Sequence, residues 1–132
     1  MTVAVLALGL AATGALPATA AGNASGLLPH PGPDGLVWVE EAWGDGGLVS
    51  GGAYGYLPIV FTVACEGGGS LVATMESQGA YVATFTVDCP AGSVGVGSVT
   101  LDPGIVRPGS FTLGIDASAQ RIRWGLAVTQ PE

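Results

Sequence analysis

The chain has 132 residues, of which 48% are hydrophobic and only 10% are charged. Ten carboxylates against three arginines and no lysine give a net charge of −7, which disfavours binding to nucleic acid or to an anionic lipid surface. This length suffices for one domain with a modest hydrophobic core.

The chain begins with the pattern of an export signal. Residues 3–16 are apolar apart from glycine and threonine, Pro17 follows, and residues 18–20 (Ala-Thr-Ala) form a small-x-small cleavage site. The apolar run is shorter than the roughly 20 residues that a membrane-spanning helix needs. We therefore expect a signal peptide over residues 1–20, a secreted extracellular protein, and no membrane insertion after cleavage.

The next segment predicts a flexible linker. Residues 21–35 are rich in glycine, proline and small side chains, and the folded domain is predicted over residues 36–132. The single histidine, His30, lies between two prolines of this linker. A base on such a segment is not held in a catalytic geometry, so we expect His30 to be solvated.

From residue 36 onward, apolar and polar residues alternate with a period of two, as β-strands require. The predicted strands are residues 36–42, 54–65, 70–76, 81–89, 94–101, 111–116 and 121–129. Residues 44–52 are predicted to be a loop, and the second to fourth strands to form a meander with short glycine turns. About seven short antiparallel strands indicate an all-β, Ig-like β-sandwich.

Two cysteines, Cys65 and Cys89, each end a predicted strand in phase with its apolar face. The residues that share a face with them are Ile59, Phe61 and Val63 on one strand and Tyr81, Ala83, Phe85 and Val87 on the other. Both thiols therefore point towards the core, as a disulfide in a sandwich requires. Two cysteines in an exported chain are expected to pair, and we predict one disulfide.

The last predicted strand alternates most cleanly. Ile122 and Trp124 face inward, with Trp124 packed near the disulfide, while Arg121 and Arg123 face outward. These arginines are expected to balance nearby carboxylates rather than to bind a ligand.

No pattern in the chain is typical of an enzyme, a metal site or a cofactor site. With one histidine and two paired cysteines, zinc lacks its usual ligands. Glu40, Glu41 and Asp45 surround a glycine-rich turn that could attract calcium, but their spacing matches no EF-hand loop. An ordinary acidic turn is the simpler interpretation, and we expect no catalytic residue, metal or cofactor.

An aromatic cluster in the first part of the domain is the best functional lead. Trp38, Trp43, Tyr54 and Tyr56 lie close together in the sequence, and Trp43 has polar and glycine neighbours. Exposed aromatic rings beside carboxylates could stack on sugars or anchor a protein. The alternative, which we favour for Trp38, Tyr54 and Tyr56, is that they belong to the core or rim of the sandwich.

Three segments carry a resemblance to known proteins: residues 65–69 (CEGGG), 85–90 (FTVDCP) and 122–128 (IRWGLAV). In these the chain resembles small secreted proteins and lipoproteins of actinobacteria, over roughly residues 55–130. That family has no assigned activity, so the resemblance implies a fold and export but no site residues. In size, acidity and export the chain is also similar to the neocarzinostatin-like apoproteins, Ig-like carriers of apolar ligands that have two disulfides rather than one.

The leading functional hypothesis is a secreted, non-enzymatic domain that binds a protein or polysaccharide at the cell surface or wall. If a binding site exists, we expect it to contain Trp43, Tyr54 and Tyr56, and less strongly Trp38. The alternatives are a structural spacer without a ligand and a carrier of an apolar small molecule. A spacer should bury these aromatic rings, and a carrier needs a cavity between its sheets.

Overall fold

The structure, a computed structural model, describes residues 27–132. The predicted signal peptide and residues 21–26 of the predicted linker lie outside the described residues. A short 3-10 turn at Gly32–Asp34 precedes the first strand. The eight strands are β1 (Gly35–Trp43), β2 (Gly46–Ala53), β3 (Ile59–Glu66), β4 (Gly69–Ser77), β5 (Ala80–Cys89), β6 (Gly95–Leu101), β7 (Gly109–Ala117) and β8 (Arg123–Thr129). Between residues 27 and 132, no helix is long and apolar enough to cross a membrane.

The strands form two antiparallel four-stranded sheets. The first sheet has the order β1-β8-β3-β6 and the second the order β2-β7-β4-β5. The chain folds about the β4–β5 hairpin, so that β3 pairs with β6, β2 with β7 and β1 with β8. This connectivity is that of an eight-stranded jelly roll. The predicted all-β antiparallel sandwich is confirmed, and its strand order is that of a jelly roll rather than that of an Ig domain.

Three predictions about chain segments are wrong. Residues 54–58 were predicted to begin a strand, but they form the loop between β2 and β3, and β3 begins only at Ile59. Residues 44–52 were predicted to be a loop, but most of them form β2, which pairs with β7 from Gly46 to Ser50. Gly46 is required there because a Cβ atom would lie 2.9 Å from the ring of Trp124. The predicted meander is also wrong, since β3 belongs to the first sheet whereas β4 and β5 belong to the second.

The core lies between the sheets and is built from the predicted inward faces. Its members include Ile59, Phe61, Val63, Leu71, Ala73, Met75, Phe111, Leu113, Ile115, Ile122, Leu126 and Val128. The Cys65–Cys89 disulfide joins β3 to β5 and so links the two sheets, with both half-cystines buried. The predicted core disulfide is confirmed.

Trp124 occupies the predicted core position. It lies opposite Cys65 in the β3–β8 register, and its indole Nε1 donates a 2.7 Å hydrogen bond to the carbonyl oxygen of Gly44. A buried indole needs such an acceptor, and this one ties the β1–β2 turn to the core.

Tyr81 was predicted to face inward with the rest of its strand, and that prediction is wrong. In the β4–β5 register Met75 pairs with Ala83, whereas Glu76 pairs with Tyr81, so the chain bulges at Val82. A bulge inserts one extra residue and reverses the alternation beyond it. Tyr81 therefore shares the outer face with Glu76 and is exposed.

Two glycines allow β6 to approach β5 at the edge of the sandwich. A Cβ atom on Gly97 would lie 2.7 Å from Cγ2 of Val87 and 3.3 Å from the ring of Phe85. A Cβ atom on Gly95 would overlap the backbone oxygen of Asp88. β6 is the edge strand of the first sheet and β5 the edge strand of the second. Glycine is therefore required at these positions of β6 because the two edge strands pack directly against each other.

Candidate functional site

The two ends of the sandwich carry different connections. One end, here called the turn end, consists of residues 44–45, 67–68, 90–94 and 118–122. The other, the tyrosine end, consists of residues 54–58, 78–81 and 102–108. All three tyrosines of the chain lie at the tyrosine end, and Tyr54, Tyr56 and Tyr81 are 54%, 72% and 67% exposed. Large exposed apolar side chains gathered in one region are typical of binding surfaces.

Tyr54 and Tyr56 form a pair on the β2–β3 loop. Their ring centroids lie 5.6 Å apart, with an angle of 52° between the ring planes. Tyrosine has only two rotatable side-chain bonds, and its ring combines an apolar face with a polar hydroxyl. The pair therefore offers two adjacent ring surfaces whose ordering on binding costs little entropy.

The buried side chain of Gln130 holds this loop in place. Its Oε1 accepts a 2.8 Å hydrogen bond from the backbone N–H of Tyr54, and its Nε2 donates to the carbonyl oxygens of Tyr54 at 2.8 Å and Leu57 at 3.3 Å. The backbone N–H of Gln130 donates to the carbonyl oxygen of Asp34. Gln130 thus ties the β2–β3 loop (residues 54–58, here called the tyrosine loop) to the residues that flank β8 and β1.

The other loops of the tyrosine end are fixed to the same framework. Gly55 packs so closely on Pro108 that a Cβ atom at position 55 would lie 2.9 Å from its ring. The backbone N–H of Arg107 donates a 2.9 Å hydrogen bond to the buried hydroxyl of Ser77, and Val106 is buried in the core. The β6–β7 loop is therefore attached both to the tyrosine loop and to the β4–β5 hairpin.

Tyr81 lies at the same end of the molecule, on the outer face of the second sheet. It lies on the edge strand β5, paired with Glu76 on β4, while Tyr54 follows the opposite edge strand β2. Three strand spacings of about 4.8 Å separate these edges, so the axes of β2 and β5 lie roughly 14 Å apart. This width suits an extended ligand better than a small molecule.

Trp43 does not belong to this group. It ends β1 at the turn end, whereas Tyr54 follows the eight-residue β2, so about 25 Å of strand separates them. Trp43 is exposed and lies opposite Arg123 on the outer face of the first sheet.

Arg123 pairs with carboxylates on that face, as predicted, whereas the guanidinium of Arg121 donates hydrogen bonds to two backbone carbonyl oxygens of the β3–β4 turn. Arg123 contacts Glu41 at 2.8 Å and Glu66 at 3.3 Å. Burial opposes the charge of the guanidinium, but the hydrogen bonds and charges of Glu41 and Glu66 outweigh it, so the pKa of Arg123 is raised above its ordinary value.

Trp38 lies at a third place, on the outer face of the first sheet. It pairs with Ala127, and its indole Nε1 donates a 3.2 Å hydrogen bond to the carbonyl oxygen of Leu28. The ring of His30 packs edge-on against it at a centroid distance of 4.9 Å. The later part of the predicted linker therefore contacts the sheet, and His30 packs on Trp38 as well as being exposed.

The acidic turn has a structural role. Oδ1 of Asp45 accepts a 2.8 Å hydrogen bond from the backbone N–H of Ala117, which joins the β1–β2 turn to β7. Within the described part of the chain, no three His, Cys, Asp or Glu side chains are grouped so that they could hold a metal ion.

The space between the sheets is filled by one continuous cluster of side chains. A pocket of about 270 Å³ lies elsewhere, between β1 and the segment that precedes it, and is lined by residues 30–32 and 35–38. The filled interior gives no support to the carrier hypothesis.

The structure thus brings together Tyr54 and Tyr56 but separates them from Trp43 and Trp38. The sequence interpretation missed two residues of this region, Tyr81 and Gln130. For Tyr81 a signal was present, because pairing across the Gln78-Gly79 turn places it beside the outward Glu76. No protein-family model, curated protein or solved structure matches this chain, so the functional conclusion rests on its own residues.

Proposed function

We propose that this protein is an exported, non-enzymatic module that binds an uncharged polysaccharide of the cell surface or wall through its tyrosine end. The observation that carries the proposal is the exposed Tyr54–Tyr56 pair, held on a fixed loop by the buried Gln130. The disulfide supports an oxidising compartment outside the cytoplasm.

The chemistry of the tyrosine end favours sugars as ligands. The C–H faces of a sugar ring pack on an aromatic ring, while the phenol hydroxyls exchange hydrogen bonds with sugar hydroxyls. Jelly rolls include lectin domains, which is an analogy of fold and assigns no ligand by itself. The separation of Tyr81 from the Tyr54–Tyr56 pair favours a polymer that contacts both.

Charge narrows the class of polysaccharide. The net charge of −7 repels anionic polymers, and Arg107 is the only arginine of the tyrosine end. An uncharged chain of sugars approaches without this electrostatic cost. Its binding should therefore depend only weakly on salt concentration, since screening alters charged interactions.

The alternatives receive less support. A spacer domain has no need to keep three tyrosines exposed and to fix their loops through a buried glutamine. A carrier needs an open interior, and the interior of this sandwich is filled.

Co-sedimentation with insoluble cell-wall material and with insoluble neutral polysaccharides tests the proposal. Residues 21–132, which include every described residue, are compared with a Tyr54→Ala/Tyr56→Ala variant and with Trp43→Ala. Trp43→Ala is the matched control because it removes an equally exposed aromatic ring at the opposite end.

We expect the wild-type chain and Trp43→Ala to bind one of these matrices, and the double tyrosine variant to lose at least tenfold in affinity. Equal binding by the double variant would move the site away from the tyrosine end. Absence of wild-type binding to every matrix would contradict the polysaccharide proposal.

A further inference from the structure

The pocket beside the first strand is not filled by the segment that precedes β1. Residues 30–32 form one of its sides and residues 35–38 the other, and a volume of about 270 Å³ remains between them. Small-molecule sites in proteins have volumes from about 300 Å³ upward. A pocket of this size therefore suits a ligand of one ring better than a larger molecule.

The side formed by residues 30–32 is fixed by a tight turn. The backbone N–H of Gly35 donates a hydrogen bond to the carbonyl oxygen of Gly32, and the backbone N–H of Gly32 donates a 3.0 Å hydrogen bond to Nδ1 of His30. A Cβ atom on Gly35 would lie 2.5 Å from Cγ of Pro31, so glycine at position 35 lets the proline pack on the start of β1. The pocket is thus preformed, and binding there needs little reorganisation.

Two rings give the pocket its chemistry. His30 and Trp38 pack edge to face, with ring centroids 4.9 Å apart and an angle of 68° between the ring planes. The indole N–H of Trp38 is engaged by the carbonyl oxygen of Leu28, so this ring offers a ligand its apolar carbons. Because Nδ1 of His30 accepts a hydrogen bond, the neutral imidazole carries its proton on Nε2, from which it can donate.

An apolar ring surface beside a hydrogen-bond donor matches the chemistry of a sugar unit. The C–H face of a sugar packs on an aromatic ring, and its hydroxyl oxygens accept hydrogen bonds. No arginine or lysine lines the pocket, and the exposed carboxylate of Asp34 lies in the turn between the two lining segments. This charge repels an anionic sugar, so the pocket favours an uncharged one.

The pocket lies at the tyrosine end, where β1 begins. Gly35 pairs with Thr129, the last residue of β8, and Gln130 follows directly. The backbone N–H of Gln130 donates to the carbonyl oxygen of Asp34, while its side chain accepts a hydrogen bond from the backbone N–H of Tyr54. One residue therefore joins the turn of the pocket to the tyrosine loop.

We propose that this pocket is a subsite for one uncharged sugar unit, with the ring of Trp38 against its C–H face and the imidazole N–H of His30 donating to one of its hydroxyls. The subsite rests on the proposed function, because the polysaccharide that contacts the Tyr54–Tyr56 pair supplies the sugar unit. A chain that occupies both places binds more tightly than a single sugar, since its second contact forms within the same complex.

The three tryptophans of the chain allow a direct test by NMR. Trp38 lines the pocket, Trp43 lies at the turn end and Trp124 is buried, so the indole N–H cross-peaks of ¹⁵N-labelled residues 21–132 report on three separate places. The probes are glucose, mannose, galactose and N-acetylglucosamine as free sugars, with glucuronate as the anionic comparison.

We expect at least one uncharged sugar to move the Trp38 cross-peak in a saturable manner, while the Trp43 and Trp124 cross-peaks stay in place. A Kd in the millimolar range is expected for a ligand of one ring. Nuclear Overhauser effects between the C–H protons of the sugar and the ring protons of Trp38 should accompany the shift.

The variant His30→Asn separates ligand binding from the shape of the turn. Its amide oxygen can accept the hydrogen bond of the Gly32 N–H in place of Nδ1, but no donor remains at the position of Nε2. We expect its Kd for the free sugar to rise at least fivefold. The matched control is Tyr54→Ala/Tyr56→Ala, which leaves the pocket intact and should bind the free sugar as the wild-type chain does.

A Trp38 cross-peak that no uncharged sugar moves at tens of millimolar overturns the subsite, even where the polysaccharide still binds through the tyrosine pair. Equal affinity of His30→Asn and the wild-type chain, or a shift caused by glucuronate alone, also overturns it. Failure of the proposed function has a different signature. In that case a free sugar moves the Trp38 cross-peak, while the double tyrosine variant sediments with the polysaccharide as the wild-type chain does.

Discussion

Gln130 is the residue whose removal should most clearly separate stability from binding. The side chain is 4% exposed and makes three hydrogen bonds to the tyrosine loop. At about 1 kcal/mol for each hydrogen bond, Gln130→Ala should lower the free energy of unfolding by about 3 kcal/mol.

The isosteric variant Gln130→Glu adds a test by pH. In the wild-type protein the amide of Gln130 donates hydrogen bonds to the carbonyl oxygens of Tyr54 and Leu57. At neutral pH the carboxylate of the variant cannot donate, so it faces these two oxygens without a hydrogen bond. Burial and these oxygens raise the pKa of the new carboxyl above the value of about 4.3 in the unfolded chain. Its protonated form can donate one hydrogen bond, so stability relative to wild type should recover as pH falls through the raised pKa.

Urea denaturation followed by tryptophan fluorescence, with the disulfide intact, measures both variants against wild type. We expect both to be destabilised at pH 7 and only Gln130→Glu to regain stability, relative to wild type, in acid. A loss below about 0.5 kcal/mol for Gln130→Ala would refute the role of this side chain in holding the loop, since surface substitutions commonly have effects of that size.

Three further substitutions test the packing. Trp124→Ala should cost about 3–5 kcal/mol in chemical denaturation because it empties a core site and removes the hydrogen bond to Gly44; an unchanged midpoint would contradict the inward facing of this ring. Replacing both Cys65 and Cys89 by Ala should cost about 3 kcal/mol, and an intact mass showing two free thiols in the wild-type protein would contradict the disulfide. Gly97→Val should cost about 1–3 kcal/mol because its side chain would overlap neighbours on β5, whereas Val96→Thr, on the exposed neighbour, should change stability by less than about 0.5 kcal/mol.

Strand faces could be predicted from the sequence wherever large apolar residues alternate with polar ones. Ile59, Phe61 and Val63 on β3 are an example, and their predicted place on the same inward face as Cys65 is confirmed. The same method missed β2, because Gly46 and Gly47 have no side chains that could alternate. That strand is defined by its backbone pairing with β7 and by the space that Trp124 needs.

Sheet membership could not be predicted from local patterns. The Gly67-Gly68 turn between β3 and β4 looks like a hairpin turn, but the chain crosses there from one sheet to the other. Gly67 has a φ of +130°, and a Cβ atom on it would lie 2.8 Å from the backbone oxygen of Arg121. The crossing therefore depends on a contact with a residue far along the chain, which no local pattern contains.

The candidate site was predicted in part. Tyr54 and Tyr56 were named from the sequence as site candidates, although a place in the core or rim was favoured for them, and they lie together and exposed. Trp43 was grouped with them because it is near in sequence. An intervening strand carries the chain from one end of the sandwich to the other, so sequence proximity misleads here. Gln130 had no signal in the sequence, because its partners on the tyrosine loop lie more than seventy residues away.

Hydrogen–deuterium exchange of residues 21–132, measured with and without the bound polysaccharide, tests the central claim most directly because it needs no substitution. The account predicts slower exchange in the bound state at residues 54–58, 78–81 and 102–108, with no change at residues 44–45 and 118–122. Protection confined to the turn end, or to residues 27–31 and Trp38, would contradict the assignment of the binding site to the tyrosine end.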